Sequence, residues 1–180
     1  MGERVSRRGF LSMGIGLLTL PVVARISGCS GKGRSEPEKK IFPDPKFELL
    51  DLALQHEFGA IVQYGNHAGV ITAVNCDPGG TIAKTFEQII CHEVSHSIHL
   101  SDILKKNGIE PTVAVWPPQT AATPAEMVQK DVAAESGAIA LYQQILEKDF
   151  DDPTKRIIEK LLFSEKSHHH YFSKLLSELG

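Results

Sequence analysis

Four stretches of this chain carry apolar residues at helical spacing, and a glutamate interrupts each stripe near its middle. The first runs Leu50, Ala53, Leu54, Glu57, Ile61, Tyr64, Ala68, Ile71. The second has Ile82, Phe86, Ile89, Glu93, His96, Leu100, Ile103, and the third Val128, Val132, Glu135, Ile139, Tyr142, Leu146. The last reads Ile157, Ile158, Leu161, Leu162, Glu165, His168, Phe172, Leu175, Leu176, Leu179. Apolar side chains three and four residues apart line one helix face, and that face must be buried. The interrupting glutamates must then be buried too. An ionised carboxylate is very costly to bury alone and needs a partner charge or a metal ion. One such glutamate is most simply a surface residue on a misphased helix, but four at mid-stripe point to a common site.

Capping signals bound the segments. Asp44-Pro45, Thr123-Pro124 and Asp152-Pro153 each place a capping side chain before a proline suited to the first helical turn. Thr123 also has Glu126 three residues on, the spacing of a capping box. The run DPGG at residues 77–80 breaks the chain between two segments, and Asn107-Gly108 is a helix stop. These marks predict helices near 45–75, 81–107, 124–148 and 153–179. Short connections make helices one and two antiparallel neighbours, and likewise three and four. Residues 108–123, proline-rich and with a strand-like run at 113–116, are long enough to return along the bundle. The expected fold is all-α: an antiparallel four-helix bundle with one long crossover between helices 2 and 3, over residues 44–180.

The N-terminal residues read as an address. Residues 1–28 hold four arginines against one acid, and SRRGFL at residues 6–11 precedes an apolar run too short and glycine-rich for a membrane span. This resembles a twin-arginine export signal, with Ser12 where a lysine is common. The following Ile26-Ser27-Gly28-Cys29 resembles a lipobox, whose cysteine becomes the lipidated first residue of the mature protein. The expectation is a domain in the cell envelope, anchored to a membrane through Cys29, with residues 29–43 as a flexible tether. An uncleaved N-terminal anchor is the alternative. Without residues 1–28 the charge is −6, from 15 basic and 21 acidic residues, which argues against a nucleic-acid partner. Cys29, Cys76 and Cys91 lack the spacing of a disulfide framework or a Cys-x-x-Cys knuckle. Cys91 is expected to be a buried apolar residue.

The chemistry concentrates in residues 91–100, CHEVSHSIHL, which can be read in two registers. His92, Glu93 and His96 spell the H-E-x-x-H of a zinc protease. Glu93 and His96 alone spell E-x-x-H, half of a carboxylate-bridged dimetal site, and Glu165 and His168 repeat it. The protease reading needs a third ligand and a sheet edge, and leaves Glu57, Glu135, Glu165 and His168 unexplained. In the dimetal reading four carboxylates balance two divalent ions, and His96 and His168 complete the shells as neutral imidazoles.

A glutamate from each of two helices plus Glu-x-x-His from the other two is the ligand set of ferritin-like dimetal carboxylate proteins. Residues 57–67, EFGAIVQYGNH, resemble the first helix of bacterioferritin; DVAAE at 131–135 and EKSH at 165–168 resemble its third and fourth. The resemblance implies that Glu93 and Glu165 bridge two metals, Glu57 and Glu135 bind the outer faces, and His96 and His168 each bind one ion. It implies that Tyr64 stands close enough to donate an electron or a hydrogen bond. It also implies two iron ions, Fe(II) oxidised by dioxygen or peroxide, and ferroxidase activity. Rubrerythrin-like peroxidase and manganese catalase are close alternatives, since carboxylate and imidazole suit iron and manganese alike. A non-enzymatic metal-binding lipoprotein is the alternative of another class.

The departures qualify the likeness. Val94 stands where bacterioferritin has its haem-ligating methionine, so haem is not expected. Gln88 and His92 replace a histidine and an aspartate of an additional inner-surface iron site, which is not expected either. With no fifth-helix pattern before Gly180, a small homo-oligomer is expected in place of a storage shell. His56, His99, His169 and His170 are read as solvent-facing, and His67 as structural.

Overall fold

Asp44 opens the first helix with its side chain, accepting the Lys46 N–H at 2.9 Å. In the computed structural model, which describes residues 40–74, 77, 79–113 and 117–179, the elements are α1 (Pro45–Val74), α2 (Thr81–Lys106), α3 (Pro124–Leu146) and α4 (Asp152–Leu179). The twin-arginine, lipobox and Cys29 readings lie outside the described residues, as do Cys76 and residues 114–116 of the strand-like run. No described helix is long and apolar enough to cross a membrane.

The other ends follow local chemistry. Asp77 accepts the Thr81 and Ala83 N–H groups at 2.8 and 3.2 Å, capping α2 across Gly80, whose φ of 62° favours glycine. Gly108, at φ 74°, closes α2, and the buried Ile109 donates its N–H back to the Leu104 carbonyl. Thr123 and Glu126 form the expected capping box. At α4 the cap is Asp151, not Asp152: its carboxylate accepts the Thr154 N–H at 2.9 Å, and Asp152 is the first helical residue. Two consecutive aspartates give one cap, and the chain path into the helix selects between them.

The helices pack chiefly as the pairs α1/α2 and α3/α4, with α1 also against α3 and only light contact between α2 and α4. The crossover is tied to α1 at two points. Buried Asp51 accepts the Thr112 N–H at 2.8 Å, and also holds Lys40 and Gln55. Buried His67 reaches the Gln119 carbonyl at 2.6 Å through Nε2 and Asp131 of α3 at 2.7 Å through Nδ1. His67 thus ties α1 to α3 and the crossover, the structural role expected of it.

Two apolar clusters fill the bundle. One gathers Leu50, Leu54, Leu100, Leu104, Ile145 and Ile158; the other Ile71, Phe86, Ile89, Val128, Phe172 and Leu175. Each large side chain fully buried there contributes about 1.5–3 kcal/mol. Between these clusters in sequence, every helix turns Glu57, Glu93, Glu135 or Glu165 inward, and all four are buried. Leaving one buried polar group unpaired costs on the same order as one such leucine contributes, so four central carboxylates are not explained by stability.

Candidate metal centre

Glu57 on α1 and Glu135 on α3 stand alone in their helical turns, whereas Glu93 and Glu165 are each followed three residues later by His96 and His168. A separation of three places both side chains on one helical face. The bundle brings all six together, each no more than 4% exposed. Glu57, Glu93, His96 and Glu165 offer ligand atoms within 4.8 Å of one another, and so do Glu93, Glu135, Glu165 and His168. Glu93 and Glu165 belong to both groups.

The contacts are short but point past one another. His96 Nδ1 lies 2.8 Å from Glu165, 3.1 Å from Glu93 and 3.3 Å from Glu57. His168 Nδ1 lies 3.0 Å from Glu93, 3.5 Å from Glu165 and 3.8 Å from Glu135. None of these has hydrogen-bond geometry. Of the eight buried side-chain polar atoms without a hydrogen-bond partner among the described residues, seven belong to these six residues. Buried lone pairs normally find partners, and lone pairs aimed at two common points fit a pair of cations.

Two tyrosines hold the outer carboxylates. Tyr64 of α1 donates to Glu135 Oε1 at 2.5 Å, and Tyr142 of α3 donates to Glu57 Oε1 at 2.5 Å. Each tyrosine engages the glutamate of the other helix, leaving Oε2 of both carboxylates for the centre. The part played by Tyr142 was not read from the sequence, although Glu57-x6-Tyr64 and Glu135-x6-Tyr142 repeat one spacing.

Burial and mutual charge set the electrostatics. Burial raises Glu57 well above the usual carboxylate range, with Glu93 and Glu165 adding to it; burial and Glu165 do the same to Glu135. Burial also works against Glu93 and Glu165, but the His168 and His96 rings outweigh it and hold both below that range. Burial disfavours charge on the histidines, yet the surrounding carboxylates push His96 up to about 12 and His168 up to about 9. Burial and the adjacent glutamates raise both tyrosines. Without a cation the cluster is held together by protons.

The H-E-x-x-H register is not realised. Glu93 and His96 face the centre, while His92 is exposed and joins neither group. Two other expectations are corrected. Cys91 is an exposed free thiol, because it lies on the outer side of α2. His56 is not solvent-facing: it is half-buried against α3, beside Ala134 and Gly137, and burial lowers its pKa. His99 and His170 are exposed as expected, and His169 is half-buried.

Comparison with proteins of curated function finds no match. Among solved structures, the chain is similar to a bacterioferritin of Desulfovibrio desulfuricans with a diiron site. That likeness has 25% identity and a TM-score of 0.66, over 74% of this chain and 78% of the other. It is similar to the bacterioferritin of Rhodobacter capsulatus, which has a dinuclear site and haem, at 25% identity and a TM-score of 0.64, covering 74% and 84%. A dodecameric thioferritin from Bacteroides fragilis shares the fold at 22% identity and a TM-score of 0.65, covering 74% and 85%. The rubrerythrin family model matches residues 48–176, from the first turn of α1 to the last turns of α4, and so spans all six converging side chains. With a four-helix ferritin-like fold and a carboxylate-histidine centre, this chain belongs to the rubrerythrin family.

Proposed function

We propose that the chain is an exported dimetal protein that oxidises Fe(II) with dioxygen or peroxide. Glu93 and Glu165 would be shared by two iron ions, with Glu57 and His96 holding one and Glu135 and His168 the other. The observation that carries this reading is the pair of carboxylates common to both ligand groups, with both oxygens of Glu93 and Oε1 of Glu165 buried and free of hydrogen bonds. Four carboxylates and two divalent ions make a neutral buried centre, which a single ion does not. When bound, the iron pair supplies two electrons to an oxidant. The chain's own residues fix the ligands and keep water out: Tyr64 and Tyr142 orient the outer glutamates, and Tyr64 passes on a proton or an electron.

The twin-arginine and lipobox sequences support export and attachment of the domain to a membrane through Cys29. The bacterioferritin-type likeness supports a homo-oligomer.

Anaerobic Fe(II) titration followed by oxygen tests the proposal. Two irons per chain, oxidised together and lost in Glu93→Ala, are expected; one iron or none overturns it. The rubrerythrin family match favours peroxidase action as a second reading. Faster oxidation of the Fe(II)-loaded protein by hydrogen peroxide than by dioxygen would select it.

A further inference from the structure

His168 faces the centre with Nδ1 and turns Nε2 outward, toward α2. There it meets His92, whose Nδ1 lies 3.0 Å from His168 Nε2. The two rings lie edge to edge and nearly parallel, with centroids 5.3 Å apart and planes 14° apart, and the His168 ring is in turn 6.0 Å from that of His96 with planes 21° apart. Three imidazoles from α2 and α4 thus form a column that begins at an exposed residue and ends among buried carboxylates. It lies where α2 and α4 touch only lightly.

A neutral imidazole binds a cation through one nitrogen only when the proton sits on the other. A second acceptor for that outer N–H fixes the tautomer and the ring orientation and makes the ligating nitrogen more basic. Two groups face His168 Nε2: His92 Nδ1 at 3.0 Å and Ser164 Oγ at 3.2 Å, the latter one turn back on the same helix. The histidine nitrogen is the nearer and the stronger acceptor.

We infer that His92 is a positioning residue for His168: its Nδ1 accepts the Nε2–H of His168, leaving the Nδ1 lone pair of His168 aimed at the ion it shares with Glu93, Glu135 and Glu165. This assigns work to the histidine that the protease reading had claimed, and it rests on the dimetal reading above. His92 is itself no ligand. Among the described residues no side chain faces the outer nitrogen of His96 in this way, so the effect belongs to one of the two ions.

The test uses the full chain and Zn(II), a diamagnetic probe that is not oxidised. His92→Phe keeps an aromatic ring without an acceptor, His92→Ala removes both, and His92→Asn places an amide oxygen close to where Nδ1 stands. Zn(II) affinity is measured by chelator competition, and the Nε2–H of His168 is followed by nitrogen-15 NMR in the loaded protein. H92F and H92A are expected to weaken one of the two ions about tenfold, the lower end of what such outer partners contribute, and to speed solvent exchange of that N–H. H92N restores most of both, and Ser164→Ala changes neither. Wild-type binding of both ions in H92F, or H92N as weak as H92F, overturns the role of His92. A wild-type chain that binds fewer than two Zn(II) overturns the dimetal reading itself.

Discussion

Loading the centre should release about four protons for each pair of divalent ions near pH 7, a count that follows from keeping the buried cluster near neutrality. In the metal-free protein, Glu93 and Glu165 are held below the usual range and carry two negative charges. His96 and His168, pushed up to about 12 and about 9, carry two positive ones. Glu57 and Glu135, raised by burial and by the neighbouring carboxylates, hold their protons. The cluster is neutral with four protons. It is neutral again with two divalent ions, four carboxylates and two neutral imidazoles, so the ions replace the protons charge for charge.

The consequence is a steep dependence on pH. Each released proton multiplies the overall binding constant tenfold per pH unit, so four give about 10⁴-fold, or about 5.4 kcal/mol. Calorimetric titration with Zn(II) or Mn(II), in several buffers of different protonation enthalpy, reads the number of protons directly. Glu57→Gln and Glu135→Gln should each lower the count by about one, since the amide has no proton to give. A wild-type count of two or fewer would refute the reasoning: Glu57 and Glu135 would then be ionised without a cation, and burial would not govern their protonation.

Further outcomes follow from the same contacts. Tyr64→Phe and Tyr142→Phe each free one oxygen of an outer glutamate, at a cost of about 1–3 kcal/mol for a buried group left unsatisfied. Thermal melts of the metal-free protein should show similar losses for both, whereas only Tyr64→Phe should slow Fe(II) oxidation. The metal-free protein should lose stability as pH rises above about 4.5, because folded Glu57 and Glu135 hold protons that the unfolded chain has released, and more steeply from about 6.5 toward 9, where folded His168 and His96 do the same, at about 1.4 kcal/mol per pH unit for each such group. On the acid side, Glu93 and Glu165 lose their contribution as pH falls below about 4.5, toward their folded values. Melts from pH 5 to 9 with and without Zn(II) check this, and the loaded protein should show a much smaller alkaline decline.

The helices and the six converging side chains were legible in the sequence because both are written at one helical period. The spacing that brings Leu50, Leu54 and Ile61 to one face brings Glu57 there as well, and Glu93 and Glu165 carry their histidines with them. Thr123 and Glu126 were legible because a capping box is complete within four residues. What failed depended on neighbours in space. Cys91 was assigned to the core by residue type, but the phase of α2 set by Glu93 and His96 puts it outside. His56 was assigned to solvent, but α3 packs over it. The exchange of Tyr64 and Tyr142 between α1 and α3 needs the height at which those helices cross, which no single segment carries. Asp131 was visible only as part of a motif; its pairing with Gln63 and His67 becomes clear when α3 lies against α1.

The inner ring is close to twofold symmetric, since α1 and α3 each bring Glu-x6-Tyr and α2 and α4 each bring Glu-x-x-His. Its surroundings are not symmetric. The half that holds Glu135 and His168 also has Asp131, whose charge reaches Tyr64, and has His92 and Ser164 against the outer nitrogen of His168. The half that holds Glu57 and His96 has Tyr142 but no comparable outer groups among the described residues. On the dimetal reading, equal inner ligands in unequal settings would make two ion positions of different strength. The position at Glu135 and His168 would have the imidazole oriented by His92 and the tyrosine with a second acidic neighbour, so it would be the half in which ligand orientation and a proton or electron passed through Tyr64 are coupled.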